Sequence, residues 1–368
     1  MKILEVCVDL DGGGIDRYLL NYCSRIEGIH FDFAVVDSKR GILEPQLEAL
    51  DCKIYRVPRQ SAGLKANYNA LKKIMTDNIY DAVHVHLGYK GAVALLCAKN
   101  CGIKTRIVHA HIAAEPENFK QKIIRKVFTF FTKLLATDLA ACGVYAAKWV
   151  WGNRAYKKGE ITIHNNAIET KKYAYSLEKR ESARKQLGIS EETFVVGHGG
   201  RLCSQKNQLR LLDIFNEIQK VNPNSVLLLV GRGELEKAVK DKAIDLGIAD
   251  KVHLLGVRDD VAELLNAFDI FVFPSTHEGL PFTLIETQCN GVYTVSSDAV
   301  TSLVKLGDCV QFLALSESDD IWAQTALALA QYGHNVNEYK VVAESGYDIE
   351  IEAKKLKEYY LNFIKAAE

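Results

Sequence analysis

The sequence predicts an α/β protein with two doubly wound parallel sheets. Apolar strand-like runs alternate with helical patterns, this alternation occurs in two series, and a polar stretch near residues 165–192 separates the series. A chain of 368 residues is long enough for two domains of about 150–200 residues each. We expect one domain over residues 1–168, a second over 169–348, and a C-terminal helix over 349–368.

The first series contains seven apolar runs that are typical of buried strands. They are Ile3–Val8, Phe31–Val36, Lys53–Val57, Ala82–His86, Thr105–Ala110, Leu139–Ala141 and Ile161–Ile163, with helical patterns at 15–26, 64–77, 89–100, 118–136 and 143–151. The second series contains five runs. They are Phe194–Gly197, Ser225–Val230, Val252–Leu255, Ile270–Phe273 and Tyr293–Ser296, with helices near 207–220, 233–247, 259–267 and 282–289. Strands that alternate with helices form βαβ units and therefore parallel sheets.

Composition limits the class of protein. Hydrophobic content is 48% and charged content 25%, as in ordinary globular proteins. The net charge is zero, but residues 1–170 are basic and the rest acidic, so an anionic surface can meet only the first half and we expect no nucleic-acid partner. Nine scattered cysteines without a Cys-x-x-Cys pair predict reduced thiols in the cytoplasm. The apolar start is too short for a signal peptide and no run is long enough to span a membrane, so any membrane contact is expected to be peripheral.

The most informative segment is FPSTHEGLPFTLIETQCNG, residues 273–291. A strand ends at Pro274, a tight loop follows, and Phe282–Cys289 has the pattern of a helix. This places Glu278 on a loop at the carboxyl end of a strand and Glu286 in the early turns of the helix, where open α/β sheets bind ligands. Two carboxylates in such a place can accept hydrogen bonds from hydroxyl groups of two sugar rings.

A second segment, VVGHGGRLCSQKNQ at residues 195–208, is suited to a diphosphate. Gly199 and Gly200 allow the backbone to approach a ligand closely. Arg201 and Lys206 bring two cations to the start of the next helix, whose amides favour anions. The ordinary alternative is a glycine turn with surface cations.

These two segments resemble the donor site of retaining GT-B glycosyltransferases of family 4, in the branch that builds bacterial exopolysaccharides and capsules. The resemblance implies two Rossmann-like domains facing across a cleft and a C-terminal helix that crosses back to the first domain. It implies that Arg201 and Lys206 bind the donor diphosphate, Glu278 binds the donor sugar and Glu286 the ribose. A nucleotide-sugar, by family habit a UDP-sugar, is then the donor, a glycan or lipid-linked glycan the acceptor, and no metal or other cofactor is required.

Three further loops match the same family pattern. By this resemblance, the first domain contributes Gly13 and Gly14 to the donor site. The string LLVGRGELE contributes Gly231, and Glu234 then lies at the positive start of a helix. Val257 and Arg258 are candidates for contact with the base, and we interpret Asp259–Asp260 as an N-cap rather than a metal ligand. The implied donor set is completed by the loop after Glu278, namely Gly279, Leu280 and Pro281.

Two histidines close the fifth predicted strand. His109 and His111 are two residues apart and should point the same way. A histidine metal site would need a third ligand, and we see none at a useful spacing. In the family a histidine at this strand end lines the cleft, and His111 matches it best, which makes His111 a catalytic candidate beside Arg201, Lys206 and Glu278. The alternative is a buried histidine with a structural role.

Residues 117–135 combine cations with a broad apolar stripe. This pattern is typical of a helix lying at a membrane surface, and equally of an ordinary helix packed on a sheet. The first interpretation predicts peripheral membrane contact here, at the inner face of the cell membrane.

Other functions remain open at this stage. A nucleotide-sugar epimerase or a sucrose-phosphate-type transferase would keep the fold and change the reaction. A degenerate binding or scaffold subunit would keep the fold without activity. Asp9 and Asp11 also resemble the nucleophile motif of haloacid-dehalogenase-like phosphatases, but glycines follow them where that motif continues differently.

Overall fold

The protein consists of two compact units. The computed structural model describes residues 1–11, 13–36, 39–111 and 118–367, with the backbone alone for 364–367. The first unit comprises Met1–Ala167 and Ile349–Glu368, and the second comprises Ile168–Asp348.

The first unit is built on a seven-stranded sheet, counted over the described residues, in the order β3-β2-β1-β4-β5-β6-β7. Every neighbouring pair is parallel. The strands are β1 Lys2–Cys7, β2 His30–Val35, β3 Ile54–Arg56, β4 Ala82–Val85, β5 Thr105–Ala110, β6 Asp138–Ala141 and β7 Ile161–Ile163. The helices are α1 Gly14–Cys23, α2 Glu44–Glu48, α3 Leu64–Asp77, α4 Ala92–Asn100, α5 Phe119–Leu135, α6 Val144–Ala146 and α7 Asn153–Lys157.

The second unit contains a six-stranded parallel sheet in the order β10-β9-β8-β11-β12-β13. Its strands are β8 Phe194–Gly199, β9 Ser225–Val230, β10 Val252–Gly256, β11 Ile270–Phe273, β12 Thr294–Ser297 and β13 Val310–Leu313. Its helices are α8 Thr170–Tyr173, α9 Leu177–Leu187, α10 Gln208–Val221, α11 Glu236–Asp245, α12 Val261–Leu264, α13 Phe282–Asn290, α14 Asp319–Ala330 and α15 Glu338–Val342. A last helix, α16 Ile349–Ala367, belongs to the first unit.

Both sheets are buried on both faces, as the prediction of doubly wound units requires. In β1, Leu4 and Val6 pack in one cluster, while Ile3 and Cys7 pack in the other. In β11, Phe271 and Phe273 face one core, and Ile270 and Val272 face the opposite core. Alternate residues of a strand point to opposite faces, so a strand between two helical layers must be apolar on both. The predicted class of two Rossmann-like parallel sheets is therefore confirmed.

The end of the second unit differs from the prediction. The sequence predicted five strands there, without the edge strand β13 and without helix α14. The sequence of β13 is only four residues long, and its last three residues are exposed or half-buried, so it lacks the continuous apolar run of a central strand. The predicted helix 143–151 is also irregular, because α6 is followed by a π-helical segment over Ala147–Trp151.

The cysteines have the state predicted from their spacing. All nine lie within the described residues and all are free thiols, with most of them buried. Burial raises the pKa of the Cys142 thiol to about 12, which keeps it protonated and unreactive at neutral pH.

Helix α16 packs against the first unit through one side. Ile349, Ala353, Leu356 and Tyr360 recur at helical spacing and are buried in the same cluster as Ile3 and Cys7 of β1. This position places the Tyr360 hydroxyl over the middle of the first sheet, where it meets polar groups described below.

A buried arginine holds the start of the second unit together. Arg184 of α9 is 1% exposed and donates to the carbonyl oxygens of Ser190, Glu191 and Thr193. Its Nη2 also donates to Asp269 Oδ2 at 2.7 Å. The sequence offered no signal for this role, because α9 is polar along its whole length and Arg184 is one of several cations in it.

We predict that Arg184→Met lowers the free energy of unfolding of the second unit by about 3–5 kcal/mol, because it removes one cationic partner of the Asp269 carboxylate and the buried donor of three carbonyl oxygens. Lys185→Met, on the exposed side of the same helix, is the matched control and should change it by less than about 0.5 kcal/mol. Urea unfolding followed by circular dichroism measures both. Equal stability of the two variants would contradict this role.

Candidate functional site

The candidate site of the second unit lies at the point where the order of strands in its sheet reverses. Strand β8 and strand β11 are neighbours in the sheet, and the loops that follow them occupy the same edge, where open α/β sheets bind ligands. The two loops are joined by hydrogen bonds. Thr276 N donates to Gln205 O at 2.8 Å, and Asn207 Nδ2 donates to Pro274 O at 3.1 Å. The two segments that the sequence singled out are thus joined at a single site.

An ion pair joins these two loops. Lys206 Nζ lies 2.6 Å from Glu278 Oε1, and the two side chains are only 15% and 11% exposed. The ammonium group also lies 4.6 Å from the centre of the Phe273 ring, at the end of β11. The sequence predicted a role for each residue separately, and the structure places them in direct contact. A largely buried ion pair of this kind can exchange partners when a charged ligand enters.

Glycines keep the adjoining strand ends clear of side chains. Gly231 has φ 130°, and a Cβ on it would lie 2.1 Å from the carbonyl oxygen of Gly200. Gly231 N also donates to Gly256 O at 2.8 Å, so the ends of β8, β9 and β10 lie edge to edge. Only glycine fits at such an approach. The resulting surface consists of backbone, which suits close contact with a flat or charged ligand.

Glu286 lies in the second turn of α13. It is 5% exposed, and its Oε1 accepts a hydrogen bond from the Tyr173 hydroxyl at 2.9 Å. Helix α13 begins after Pro281, which follows Gly279 and Leu280 on the loop that carries Glu278. The first amides of a helix have no partner within it, so this loop offers hydrogen-bond donors near the two carboxylates.

Arg201 forms an ion pair at the surface of the second unit. Its side chain is 73% exposed, and its Nε donates to Glu234 Oε2 at 3.1 Å. The expectation that Glu234 occupies the first turn of a helix is wrong, because α11 begins two residues later, at Glu236. An exposed ion pair of this kind contributes little free energy, so Arg201 can leave it readily.

The interpretation of Asp259–Asp260 as an N-cap is wrong for the side chains. Asp260 stands at the N-cap position of α12 but makes no capping hydrogen bond. Its carboxylate instead accepts two bonds from Arg258, at 2.8 and 2.5 Å. This pair lowers the pKa of the Asp260 carboxyl. A two-bond guanidinium–carboxylate contact is stronger than a bond to a helix amide, which explains the difference. Val257, the other candidate for base contact, is exposed.

The glycine loop of the first unit is partly described. Gly12 lies outside the described residues. Gly13 is the N-cap of α1, and its amide donates to Asp16 Oδ2 at 2.9 Å, while Gly14 begins the helix. The Asp16 side chain is buried and caps α1. The amide of Gly13, a residue that the resemblance assigns to the donor site, thus already donates within its own loop.

His111 belongs to a cluster that the sequence analysis missed. His109 and His111 lie on the same face, as their spacing predicted, and their rings stack with centres 4.0 Å apart. The expectation that no third ligand stands nearby is wrong, because nitrogen atoms of His84, His86 and His109 all lie within 4.8 Å of one another. Two His-x-His pairs that close neighbouring strands were the signal. Both nitrogens of His86 already have hydrogen-bonding partners, so the cluster is a hydrogen-bonded network rather than an open set of metal ligands.

The helix predicted at 117–135 is α5, and its apolar stripe is exposed. Glu117 lies outside the described residues. Within α5, Thr132 alone is buried. Seven large apolar side chains are exposed, from 43% for Ile124 to 80% for Phe119; the others are Ile123, Val127, Phe130, Phe131 and Leu134. The simple alternative, in which this stripe packs on the sheet, is therefore wrong. No helix in the described parts of the chain is long and apolar enough to cross a membrane.

Comparison with known proteins agrees with the two segments. Residues 179–314 match the family described as Glycosyl transferases group 1. The matched range contains Lys206, Glu278 and Glu286. Over 356 residues the chain is 27% identical to the putative glycosyltransferase EpsF of Bacillus subtilis, covering 94% of this chain and 93% of that one. It is 29% identical to an Escherichia coli UDP-Gal:alpha-D-GlcNAc-diphosphoundecaprenol alpha-1,3-galactosyltransferase, over 71% of this chain and 67% of that one.

A solved structure shares the fold. The Anabaena protein HepE, crystallised in complex with UDP-glucose, is similar with a TM-score of 0.79 at 20% identity, over 98% of this chain and all of that chain. At this level of identity the likeness concerns the fold alone. With the family match and the named relatives, it shows that the protein is a transferase enzyme with the two Rossmann-like domains of GT-B glycosyltransferases.

Proposed function

We propose that the protein transfers a sugar from a UDP-sugar to a hydroxyl of a glycan or lipid-linked glycan during the synthesis of a bacterial surface polysaccharide. The observation that carries this proposal is the Lys206–Glu278 ion pair at the switch point of the second sheet, beside a glycine-lined backbone surface. The Escherichia coli relative, named as a galactosyltransferase acting on alpha-D-GlcNAc-diphosphoundecaprenol, supports a lipid-linked acceptor. The reaction takes place in the cytoplasm.

The proposed chemistry begins with an exchange of ionic partners. The diphosphate of the donor binds Lys206, which then leaves Glu278, and Arg201 leaves its exposed pair with Glu234 to join it. Glu278, released from the ammonium group, accepts hydrogen bonds from hydroxyls of the donor sugar. As the bond between the sugar and the diphosphate breaks, negative charge grows on the leaving oxygen, and the two cations stabilise it.

The nucleoside is held on the other side of this pair. Glu286 accepts hydrogen bonds from the ribose hydroxyls, at the cost of its bond with Tyr173. Val257 and Arg258, on the loop after β10, contact the base. Because two side-chain cations neutralise the diphosphate, we expect no obligatory metal. From the family resemblance, we also expect the sugar to be transferred with retention of its anomeric configuration.

The exposed face of α5 supports a lipid-linked acceptor. A contiguous apolar surface of this kind usually marks an interaction site. Lys120, Lys122 and Lys126 on the same helix are exposed, and they would attract anionic lipid headgroups while the apolar side chains enter the interface. We propose that this face rests on the inner surface of the cell membrane, where a lipid-linked acceptor would be found.

The reaction is tested with a panel of UDP-, GDP- and CMP-sugars. We expect UDP-sugars to raise the melting temperature of the protein, since a ligand that binds the native state stabilises it. Incubation with lipid-linked acceptors in the presence of EDTA should then give a glycosylated product with the anomeric configuration of the donor. A free sugar epimer as the product would instead identify an epimerase, and no binding of any nucleotide-sugar would refute the proposal.

Lys206→Ala should reduce turnover by about 10²–10³-fold, because it removes a cation that stabilises the leaving group. The control is Lys237→Ala, which removes an exposed lysine that pairs with Asp241 on α11. Steady-state assays with the best UDP-sugar measure both variants. Similar turnover in both would remove Lys206 from the mechanism.

Glu286→Ala should chiefly weaken nucleotide binding. Hydrogen bonds to a charged group contribute about 1.5–3 kcal/mol, so UDP should bind about 10–100-fold more weakly. Glu236→Ala, which removes an exposed acid from the first turn of α11, is the control. Calorimetric titration with UDP distinguishes them, and unchanged affinity in Glu286→Ala would contradict its assignment to the ribose.

Membrane contact is tested by changing Lys120, Lys122 and Lys126 of α5 together to glutamate. The wild type should float with vesicles that contain phosphatidylglycerol, and the variant should remain in solution. In the matched control, three exposed lysines of α3 are changed to glutamate, namely Lys65, Lys72 and Lys73. This control should still float. Equal flotation of all three proteins would exclude this surface. Concentration-dependent dimers in sedimentation without vesicle binding would assign the apolar face to a second copy of the chain.

A further inference from the structure

A network of polar side chains is buried on one face of the first sheet. Glu5 of β1, His84 and His86 at the end of β4, and His109 and His111 at the end of β5 take alternate positions along their strands. All five point to the face whose core also holds Ile3 and Cys7. The order of strands in this sheet reverses between the neighbours β1 and β4. The network therefore occupies the place where such sheets bind ligands.

Three members form a continuous chain of hydrogen bonds. His86 Nε2 lies 2.7 Å from Glu5 Oε2, and His86 Nδ1 lies 2.8 Å from His111 Nε2. His86 is thus placed between a carboxylate and the histidine that the sequence singled out. The ring of His111 is held by stacking on His109 and by an edge contact with Tyr18, with ring centres 5.1 Å apart.

The other oxygen of Glu5 is held by the C-terminal helix. The Tyr360 hydroxyl donates to Glu5 Oε1 at 3.3 Å, and it also lies 2.6 Å from His84 Nδ1. His84 Nε2 in turn lies 3.2 Å from His109 Nδ1. Both oxygens of Glu5 therefore have partners, so the carboxylate is fixed in position at the base of the network.

The chemistry of these groups fixes the direction of the hydrogen bonds. Burial lowers the pKa of His86 to about 3, and burial also lowers the pKa of His111, so both rings are neutral. A neutral imidazole has one donor and one acceptor nitrogen. Burial raises the pKa of Glu5 to about 7, against the influence of His84 and Tyr360, so the carboxylate is ionised above neutral pH. An ionised carboxylate can only accept.

The donors therefore all point towards Glu5. His86 donates from Nε2 to Glu5, which leaves its Nδ1 as an acceptor for the N–H at His111 Nε2. The remaining nitrogen of His111, Nδ1, then carries a lone pair. It is buried and has no hydrogen-bonding partner among the described residues. A buried acceptor without a partner costs about 1–3 kcal/mol, and such a group in a native protein requires an explanation.

We propose that Glu5 and His86 are positioning residues that hold His111 with its proton on Nε2, so that Nδ1 accepts a hydrogen bond from a substrate hydroxyl. The identity of that substrate, a sugar donor or glycan acceptor, rests on the proposed function. Glu5 and His86 act only through His111. The arrangement is the same in principle as a carboxylate that orients a histidine and fixes which nitrogen is the base.

The first test is spectroscopic and needs no substrate. Long-range ¹⁵N correlation spectra of the full-length protein labelled at histidine nitrogens report which ring nitrogen carries the proton, and His111→Gln assigns the signal. Above neutral pH we expect His111 to be protonated at Nε2 and unprotonated at Nδ1. Protonation at Nδ1 would overturn the proposal, whatever reaction the enzyme catalyses.

The second test compares two acid-to-amide changes in the same sheet. Glu5→Gln replaces a carboxylate that can only accept hydrogen bonds with an amide that can also donate. Asp138→Asn makes the same replacement on β6, at a carboxyl whose pKa is also raised to about 7 by burial. Glu5→Gln should lower kcat by about 10–100-fold, the usual effect of an outer partner of a histidine, while UDP affinity stays unchanged. It should also alter the His111 signal. Asp138→Asn should change neither.

The outcomes separate the two proposals. Equal kcat and equal His111 signals in Glu5→Gln and Asp138→Asn would refute the positioning role while the glycosyl transfer stands. A wild-type protein with no activity on any nucleotide-sugar would refute the proposed function, and the proton position at His111 would still be decided by the spectra.

Discussion

The need to bury both faces of a parallel sheet governs where this protein can place chemistry. Strands such as β11 are apolar on each side, because helices cover both, and polar side chains within them would lose their hydration. Reactive groups are therefore confined to the strand ends and the loops beyond them. In the second unit the Lys206–Glu278 pair occupies the loops after β8 and β11, which are adjacent strands. The same constraint selects the equivalent edge of the first sheet.

The first unit also carries buried polar groups within its strands. Glu5 lies within β1 rather than beyond it, and His84 lies within β4. Such burial is tolerated only because every charge and most ring nitrogens have a partner, including the Tyr360 hydroxyl from α16. The polar groups thus satisfy each other inside a layer that is otherwise apolar. The two units place their functional groups differently: one on flexible cations in loops, the other on rings fixed by packing.

The sequence predicted what is encoded locally. The alternation of strands and helices, the loop at Pro274–Pro281 and the start of α13 follow from residues that are close along the chain. The pairing of Lys206 with Glu278 depends on strand order, and no local pattern contains it. Arg258 with Asp260, and Arg201 with Glu234, show the limit for surface charges, because several partners are within reach of a long side chain and only geometry selects one. The exposure of α5 depends on what the rest of the unit leaves uncovered, so the stripe alone fitted both interpretations.

The route of the chain has a consequence for biosynthesis. The second unit is an insertion whose ends meet, since Ile168 N donates to Tyr347 O at 2.9 Å and Ile168 bridges Asp348. All of its strands emerge from the ribosome before α16 does. The first unit, although translated first, must wait with the Glu5 side of its sheet uncovered until the last helix arrives, because α16 supplies part of that core. The half that is made earliest is therefore the last to complete its interior.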